Sequence, residues 1–326
     1  MPELTEPVAI MLQSSSAHYE NQYLDLMRRV WTDGDARIDR TGVGIRSLFG
    51  EQLHFDLRDG RIPLLTTKRV YWKLAARELL WFLSGGRNIR SLVAQGVHIW
   101  TDWPLDHYRK TTGDMIDRDT FAARILGDED FASKWGDLGP VYGAQWRHWP
   151  KFVADPAAGL NVYRRDPNGV DQLAALVESL TNNPASRRHL FTGWNVAELG
   201  EMALPPCHMT YQFHVTSDGA LSCLLFQRSC DVALGLPFNL FAAGLLTHML
   251  AVQTGLTAHR LVWSGGDVHL YQNHADLVAE QLSRTPHGDP RVRLVGQPAT
   301  LFDYALENIA IDDYAPQAHI AAPVAV

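Results

Sequence analysis

The chain has 326 residues, of which 46% are hydrophobic and 20% are charged, so it is long enough to bury a full hydrophobic core. Its ten Trp, ten Tyr and twelve Phe exclude an intrinsically disordered protein. The formal net charge of −7 excludes a global basic field for nucleic acid, so any polyanion must bind at a local cluster of arginines.

The cysteines and the apolar segments indicate a compartment. Cys207, Cys223 and Cys230 are too few and too clustered for a disulfide framework, and no two of them form a CxxC pair. The first residues carry acids where a secretory signal needs positive charge, and the longest apolar run is interrupted by His248. We therefore expect a cytoplasmic protein that has a short N-terminal tail over 1–18 and does not enter a membrane.

The first half of the chain predicts two helices and a strand. Apolar residues at helical spacing predict a helix over 19–31 that stops at Gly34. Alternating residues over 47–57 predict a strand, and 70–83 predicts a long apolar helix that two glycines close. The segment 104–135 is polar and irregular, which indicates a surface insertion.

The second half begins with another polar segment, 150–170, which we also interpret as a surface insertion. An amphipathic helix over 171–180 follows, and a turn at 217–219 between two alternating segments predicts a β-hairpin. Apolar helices near 238–252 and after Asn273 complete the chain. Because strands and helices are mixed without strict βαβ alternation, we predict an α+β fold built on a large mixed β-sheet.

Cys207 is the candidate nucleophile. Two prolines precede it and present it at the rigid start of a strand. If the hairpin turn pairs Val215 with Ala220, Cys207 lies opposite Arg228 to within one or two residues. A guanidinium beside a thiol favours the thiolate, which is the nucleophilic form. A small buried hydrophobic residue is an equally good interpretation of Cys207.

Several arginines could bind a phosphate dianion, since their planar forks match its oxygens and a hydroxyl can assist. The candidates are Arg40, Arg187, Arg188, Arg228 and Ser229. Each of these residues on its own indicates only a solvated surface side chain. The pairing of Arg228 with the candidate nucleophile is what favours a phosphate site.

Other polar residues could serve either structure or chemistry. Glu78, inside an apolar helix, is either paired or held with a raised pKa for proton transfer. Asn239 is either a helix N-cap or a reader of a pyrimidine edge. His269 and Tyr271 share one face of a short predicted strand, as core groups or as ligands. A metal site at His269 and His274 is weakly supported because no third ligand has suitable spacing, so we predict no metal.

A series of long motifs, all in one order, resembles the folate-dependent thymidylate synthases from about Tyr19 to Val326. The motifs are DRTGVG, LLTTKR, ELLWFL, HIWTDW, GDLGPVYGAQWRHW, SRRHLFTGWN, MALPPCH, FQRSCDVALGLPFN, GGDVHLYQNH and the terminal APVAV. The insertion before WGDLGPVYG is similar to that of the longer bacterial members. The resemblance implies one catalytic domain over 19–326 and a homodimer in which a face of the sheet forms the interface.

For the nucleotide, the resemblance implies that Cys207 attacks C6 of dUMP and forms a covalent adduct. The phosphate ligands it implies are Arg40, Arg228 and Ser229, with Arg187 and Arg188 supplied by the second subunit. The base and ribose ligands it implies are Gln227, Asp231, Asn239, His269 and Tyr271. Among these, Asn239 would pair with N3 and O4 of uracil.

For the second substrate, 5,10-methylenetetrahydrofolate, the resemblance implies binding at Trp100, Trp103, Asp231, Gly235, Ala325 and Val326. The catalytic residues it implies are Cys207, Glu78, Tyr142, Arg228, His208 and Asp231. Glu78 would relay protons with ordered water and His208, and Tyr142 would assist removal of the C5 proton. The folate would supply both carbon and hydride, giving dTMP and dihydrofolate.

The closest alternative is a dUMP hydroxymethylase of the same superfamily, which adds water where the synthase transfers hydride. Asn239 favours uracil over cytosine and Trp100 favours hydride transfer, but together they leave this alternative open. The negative net charge disfavours nucleic-acid binding as the main role. A cysteine hydrolase using Cys207 and His208 is disfavoured because adjacent strand residues point to opposite faces.

The chain departs from the family pattern at scattered positions, and we expect these departures to affect interface packing and the folate tail more than the chemistry. The positions are Arg87, Leu224, Phe226, Phe241, Ala243 and the segment 315–322.

Overall fold

The structure is a computed structural model and describes residues 18–38 and 42–323. Its helices are α1 (Asn21–Asp33), α2 (Trp72–Leu83), α3 (Arg90–Val93), α4 (Asp102–Thr112), α5 (Arg118–Gly127), α6 (Glu129–Trp135), α7 (Tyr142–Arg147), α8 (Gln172–Asn182), α9 (Gly235–Thr254) and α10 (Ala275–Leu282). Its strands are β1 (Asp35–Arg37), β2 (Ile45–Asp56), β3 (Phe152–Ala154), β4 (Tyr163–Arg165), β5 (Leu190–Thr192), β6 (His208–Val215), β7 (Ala220–Asp231), β8 (Thr257–Tyr271), β9 (Arg291–Leu294) and β10 (Ile309–Asp312).

The main sheet is mixed and has the strand order β1-β2-β8-β7-β6-β5. β7 and β8 run parallel, and the other neighbours run antiparallel. The parallel pair requires a crossover connection, which α9 supplies. The predicted large mixed sheet with packed helices is therefore confirmed.

The central helix of the core is α9. It is apolar on all sides and packs against β7, β8 and α2. It ends at Gly255, whose φ of 70° is a left-handed cap that glycine adopts without strain. Within the described chain it is the helix long and apolar enough to cross a membrane, yet 78% of that stretch is buried inside the protein. Its composition is accounted for by this burial.

The segment 104–135 is not irregular, so that prediction is wrong. It forms most of α4 together with α5 and α6, and Asp117 and Asp128 cap the last two by accepting backbone N–H bonds. The buried apolar side chains of these helices include Leu105, Tyr108, Phe121, Ile125 and Phe131. Each helix is short, so its few apolar positions give too weak a period to detect among so many polar residues.

The segment 150–170 contains the exposed hairpin β3–β4. One ion pair ties it to the body of the protein. Arg165 Nη2 lies 3.2 Å from an oxygen of Glu198, whose other oxygen accepts a hydrogen bond from Gln145 Nε2 at 2.7 Å. The hairpin is thus attached through a carboxylate that is itself buried.

A buried carboxylate joins α1 to the segment that leads into α2. Glu20 is fully buried, and its two oxygens accept hydrogen bonds from the backbone nitrogens of Thr66 and Thr67 at 2.8 and 2.9 Å. Both threonine hydroxyls donate to the same carboxylate. The adjacent Lys68 ammonium donates to the carbonyl of Ala233, and burial lowers the pKa of Lys68 to about 8. The start of α1 is therefore fixed to the turn that precedes α9.

We expect Glu20→Ala to lower the free energy of unfolding by about 3 kcal/mol, because it leaves four buried donors without an acceptor. Urea denaturation would measure the loss. The matched control is Asp25→Ala, since Asp25 is an exposed residue of α1 whose ion pair with Arg28 contributes little. A loss no larger than that of the control would contradict a structural role for Glu20.

Candidate active site

A cavity of about 540 Å³ opens where β7 and β8 end and β6 begins. It brings together most of the residues that the sequence singles out. These are Glu78, Trp100, Trp103, Tyr142, Cys207, His208, Gln227, Arg228, Ser229, Asp231, Gly235, Asn239, His269 and Tyr271. Residues almost 200 positions apart in the chain therefore share one site.

Two predicted ligands among the described residues, Arg187 and Arg188, do not line this cavity. Arg187 and Arg188 are exposed in the loop between α8 and β5. Arg40, Ala325 and Val326 lie outside the described residues. Their roles stay predictions.

Cys207 and Arg228 face each other across the hairpin, as predicted. The backbone nitrogen of Arg228 donates to the carbonyl of Cys207 at 2.9 Å. The guanidinium of Arg228 donates to the carbonyls of Pro205 and Pro206 at 2.7 and 3.0 Å, and its Nη2 lies 4.0 Å from Cys207 Sγ. Because these carbonyls hold the guanidinium in place, its positive charge is fixed beside the sulfur.

The pairing at the turn differs from the prediction by one residue, since Val215 pairs with Leu221. A β-bulge between His208 and Thr210 adds one residue to β6 and restores the predicted pairing at its start. Both Cys207 and His208 line the cavity, and each lies opposite its own partner across the hairpin, Arg228 for Cys207 and Gln227 for His208. The bulge lies after both residues and leaves their alternation in place.

Glu78 has both a hydrogen-bond partner and a raised pKa, so the two interpretations of this residue are compatible. Burial in α2 raises its pKa to about 7, and a hydrogen bond from Trp100 opposes part of that rise. The indole Nε1 donates to Glu78 Oε1 at 2.7 Å. A carboxyl group with this pKa can give and take a proton near neutral pH.

Two more titratable groups of the cavity are held uncharged by burial. His208 has its pKa lowered to about 4, although the neighbouring Asn239 side chain opposes the shift. Burial, and then the nearby Cys207, raises the pKa of Tyr142 well above 10. The Tyr142 hydroxyl oxygen accepts a hydrogen bond from the backbone nitrogen of Cys207 at 2.7 Å. Tyr142 is therefore a neutral phenol that contacts the nucleophile's own backbone.

The end of β8 adds a polar cluster that the sequence only partly predicts. His269 Nδ1 donates to Asp267 Oδ1 at 3.0 Å, and this bond, with Arg37 nearby, lowers the pKa of Asp267. A carboxylate only accepts, so Nδ1 carries the proton and Nε2 of His269 is left for a ligand. Both Asp267 and Arg37 line the cavity, and sequence reasoning missed them. Alternation with His269 and Tyr271 is a signal that could have found Asp267.

Asn239 is not a helix N-cap, so that interpretation is wrong. α9 begins at Gly235, which places Asn239 in its second turn. Asp231 turns the chain into this helix, since its Oδ1 accepts the backbone N–H groups of Ala233 and Leu234 at 2.9 and 3.3 Å. The helix therefore starts four residues before the predicted cap, and the Asn239 amide lies in the cavity wall.

The strand that carries these groups is longer than predicted. β8 spans Thr257–Tyr271, whereas only its end was predicted as a short strand. Buried Leu261 and Trp263 alternate with half-buried neighbours and are the sequence signal for the first half of β8.

Among the residues described, no group of three His, Cys, Asp or Glu side chains could hold a metal ion.

Comparison with known proteins decides the family. The sequence model described as thymidylate synthase matches residues 21–326. The thymidylate synthase of Sphingopyxis alaskensis is 66% identical over 313 residues, which cover 96% of this chain and all of the relative. The thymidylate synthase of Novosphingobium aromaticivorans is 63% identical over 316 residues, or 97% of this chain and 99% of the relative. The chain belongs to the thymidylate synthase family. It is accordingly a methyltransferase.

The positions at which the chain departs from the thymidylate synthase pattern lie outside the cavity wall. Arg87 forms a two-armed ion pair with Asp137 at 2.8 and 3.2 Å. The Phe241 ring packs against Trp72 with centroids 6.1 Å apart. These side chains therefore belong to the packing around the site and not to its wall.

The pH dependence of turnover should show an apparent pKa near 7 that belongs to Glu78. Trp100→Phe removes the donor that stabilises the carboxylate, so this pKa should rise and Glu78 should stay protonated to higher pH. The measurement is kcat/KM between pH 5 and about 9. Trp103→Phe is the control, because it leaves the bond between Glu78 and Trp100 intact. An unchanged profile in Trp100→Phe would assign the titration to another group.

Proposed function

We propose that this chain converts dUMP to dTMP, with 5,10-methylenetetrahydrofolate as the donor of carbon and hydride and dihydrofolate as the second product. The carrying observation is the Cys207 sulfur 4.0 Å from the fixed Arg228 guanidinium, in a cavity that also holds a proton-transfer group. A neighbouring positive charge stabilises a thiolate, which is the nucleophilic form of cysteine.

The first step forms a bond between Cys207 Sγ and C6 of the pyrimidine, and the displaced electron pair moves to C5 and the O4 enolate. Asn239, in the cavity wall, would hydrogen-bond the base and stabilise the charge at O4. C5 then forms a bond to the one-carbon unit of the folate. After the C5 proton is removed, the bond between this carbon and the folate nitrogen breaks, hydride from the tetrahydrofolate reduces the resulting methylene to methyl, and the Cys207 Sγ–C6 bond breaks to release dTMP and dihydrofolate. Both substrates are held together in the same cavity, which lowers the entropic part of the barrier.

Proton transfer would fall to Glu78 and Tyr142. Glu78 has a pKa of about 7 and can therefore exchange protons through water at neutral pH. Tyr142 contacts the backbone of Cys207 and is placed to assist removal of the C5 proton. His208 is neutral at this pH and would support the relay as a hydrogen-bonding group.

The phosphate and ribose would lie at the ends of β7 and β8. Arg228 and Ser229 of β7 would bind the phosphate, together with Arg40 and with Arg187 and Arg188 of a second subunit. His269 Nε2 and Tyr271 would bind the ribose 3′-hydroxyl, and Gln227 and Asp231 would complete the nucleotide site. Pairing of Ser229 with Asp267 supports this placement, since it sets the two strand ends side by side.

The folate would pack on the aromatic side of the cavity. The Trp100 and Trp103 rings lie 5.2 Å apart, and the two indoles suit a flat pteridine ring. Asp231 and Gly235 would complete this subsite at the start of α9. Ala325 and Val326 would close over it.

We also propose a homodimer formed through the open face of the main sheet. Apolar side chains remain exposed there, with Phe49 at 89%, Leu190 at 46% and Phe226 at 37%. Phe49 and Phe226 line one groove, and an exposed apolar patch on a sheet favours association. Arg187 and Arg188 immediately precede the edge strand β5, which places them at the border of this face.

A cytoplasmic location suits the three cysteines, none of which forms a disulfide.

Incubation with dUMP and 5,10-methylenetetrahydrofolate should give dTMP and an equal amount of dihydrofolate, measured by mass spectrometry and absorbance. Cys207→Ser should keep dUMP binding and lose nearly all turnover, whereas Cys223→Ala, outside the cavity, should retain it. A hydroxymethylated product with tetrahydrofolate would instead establish the hydroxymethylase. Turnover that survives in Cys207→Ser would remove Cys207 as the nucleophile.

Phe226→Glu should shift the protein from dimer to monomer in sedimentation velocity, because it places a charge in the apolar sheet face. Turnover should fall with it, since the second subunit's arginines leave the site. Leu160→Glu is the control, as Leu160 is 94% exposed in the 150–170 segment. Equal sedimentation of both variants and the wild type would show that the interface lies elsewhere.

A further inference from the structure

A buried chain of hydrogen bonds runs from Trp263 through Gln227 to Asn239. Trp263 is fully buried and Gln227 is 2% exposed. The indole Nε1 donates to Gln227 Oε1 at 2.9 Å, and Gln227 Nε2 donates to Asn239 Oδ1 at 2.8 Å. Gln227 Nε2 also donates to the carbonyl of Ser229 at 3.1 Å. All three distances are those of normal hydrogen bonds.

Two contacts fix which atoms donate and which accept in this series of hydrogen bonds. An indole N–H can only donate, so the Gln227 atom facing Trp263 must be the oxygen. A backbone carbonyl can only accept, so the Gln227 atom facing Ser229 must be the NH2 group. That NH2 group also faces Asn239, and the Asn239 atom opposite it must therefore be the oxygen.

The other neighbour of Asn239 does not determine the amide orientation. His208 lies beside it, and burial keeps this imidazole neutral, with a pKa of about 4. A neutral imidazole has one donor and one acceptor nitrogen, so it can adapt to either orientation of the amide. The nearby Tyr211 hydroxyl, 3.4 Å from His208 Nδ1, can likewise donate or accept. The Trp263 indole and the Ser229 carbonyl are thus the two groups of fixed polarity that orient Gln227.

We propose that Trp263 is a positioning residue for base selection, which acts through Gln227 to hold Asn239 with its NH2 group available to the ligand. A 4-oxo pyrimidine offers an acceptor to that NH2 group, and its N3–H can use the second lone pair of Asn239 Oδ1. A 4-amino pyrimidine offers a donor at position 4 and no hydrogen at N3. Trp263 does not line the cavity, whereas Gln227 and Asn239 do. This inference rests on the proposed function.

Trp263→Phe tests the proposal, because it keeps an aromatic ring and removes the N–H donor. Gln227 then keeps only the Ser229 carbonyl as a contact of fixed polarity, so its amide turns over more readily and Asn239 is held less strictly in one orientation. The ratio of the Kd for dCMP to the Kd for dUMP should fall about three- to tenfold, the effect of one hydrogen bond. Isothermal titration calorimetry gives both constants, and the melting temperature of each variant is recorded alongside. Trp72→Phe, which is outside this network, is the matched control and should leave the ratio unchanged.

Gln227→Glu is the second variant. Its carboxylate still accepts from Trp263 but offers Asn239 only acceptors, so Asn239 should turn its NH2 group away from the ligand. The ratio should therefore fall further than in Trp263→Phe, and dCMP should gain relative to dUMP. Because both nucleotides carry the same phosphate, the added charge does not bias the ratio. If Trp263→Phe does not fold, an unchanged ratio in this variant still overturns the proposal, because Trp263 reaches Asn239 through Gln227.

A merely structural role for Trp263 would weaken the binding of both nucleotides equally, and an unchanged ratio in either variant would overturn the proposal. If the wild type prefers dUMP and makes dTMP while the ratio stays constant, only the role of Trp263 fails. A wild type that binds neither nucleotide would overturn the proposed function and this inference with it.

Discussion

The site depends on a strand register that brings several strand ends to one end of the sheet. β7 and β8 are parallel, so Ser229 pairs with Asp267 and Asp231 pairs with His269 where both strands stop. β6 runs antiparallel to β7, and its start therefore lies beside the end of β7. Backbone pairing alone thus places the nucleophile beside the polar groups of β7 and β8.

Burial then sets the chemical state of the groups that this register collects. The same desolvation raises the pKa of Glu78 to about 7 and lowers that of His208 to about 4. Tyr142 stays a neutral phenol for the same reason. Backbone carbonyls hold the Arg228 guanidinium in place. The cavity therefore combines a fixed cation with neutral proton carriers, an arrangement that strengthens electrostatic effects on bound ligands.

Sequence reasoning succeeds where the signal is local. The position of Cys207 opposite Arg228 follows from counting along one hairpin, although the count succeeds only because the bulge offsets the error at the turn. Asn239 was misplaced because the helix start depends on Asp231, whose side chain ends one strand and begins the helix. Short capped helices of polar composition also escape detection by periodicity.

Contacts between distant parts of the chain lie beyond such reasoning. The ion pair of Arg37 with Asp267 joins residues 230 positions apart, and no spacing rule connects them. The hydrogen bond from Trp263 to Gln227 crosses between neighbouring parallel strands, 36 positions apart. The family motifs predict the cavity residues individually. The folded structure is needed to show which of these residues orient their neighbours.

The bulge near the start of β6 divides its hairpin into two parts that differ in their tolerance of changes in length. A residue added in the loop between β6 and β7 enlarges a surface turn and leaves both strands paired as before. A residue lost at the bulge leaves His208 opposite Gln227 and Thr210 opposite Phe226, whereas a residue lost elsewhere in β6 shifts the pairing by one and moves side chains to the other side of the sheet. Insertions and deletions in this hairpin should therefore collect at the loop and at the bulge, and the paired part of β6 between them can change only by substitution.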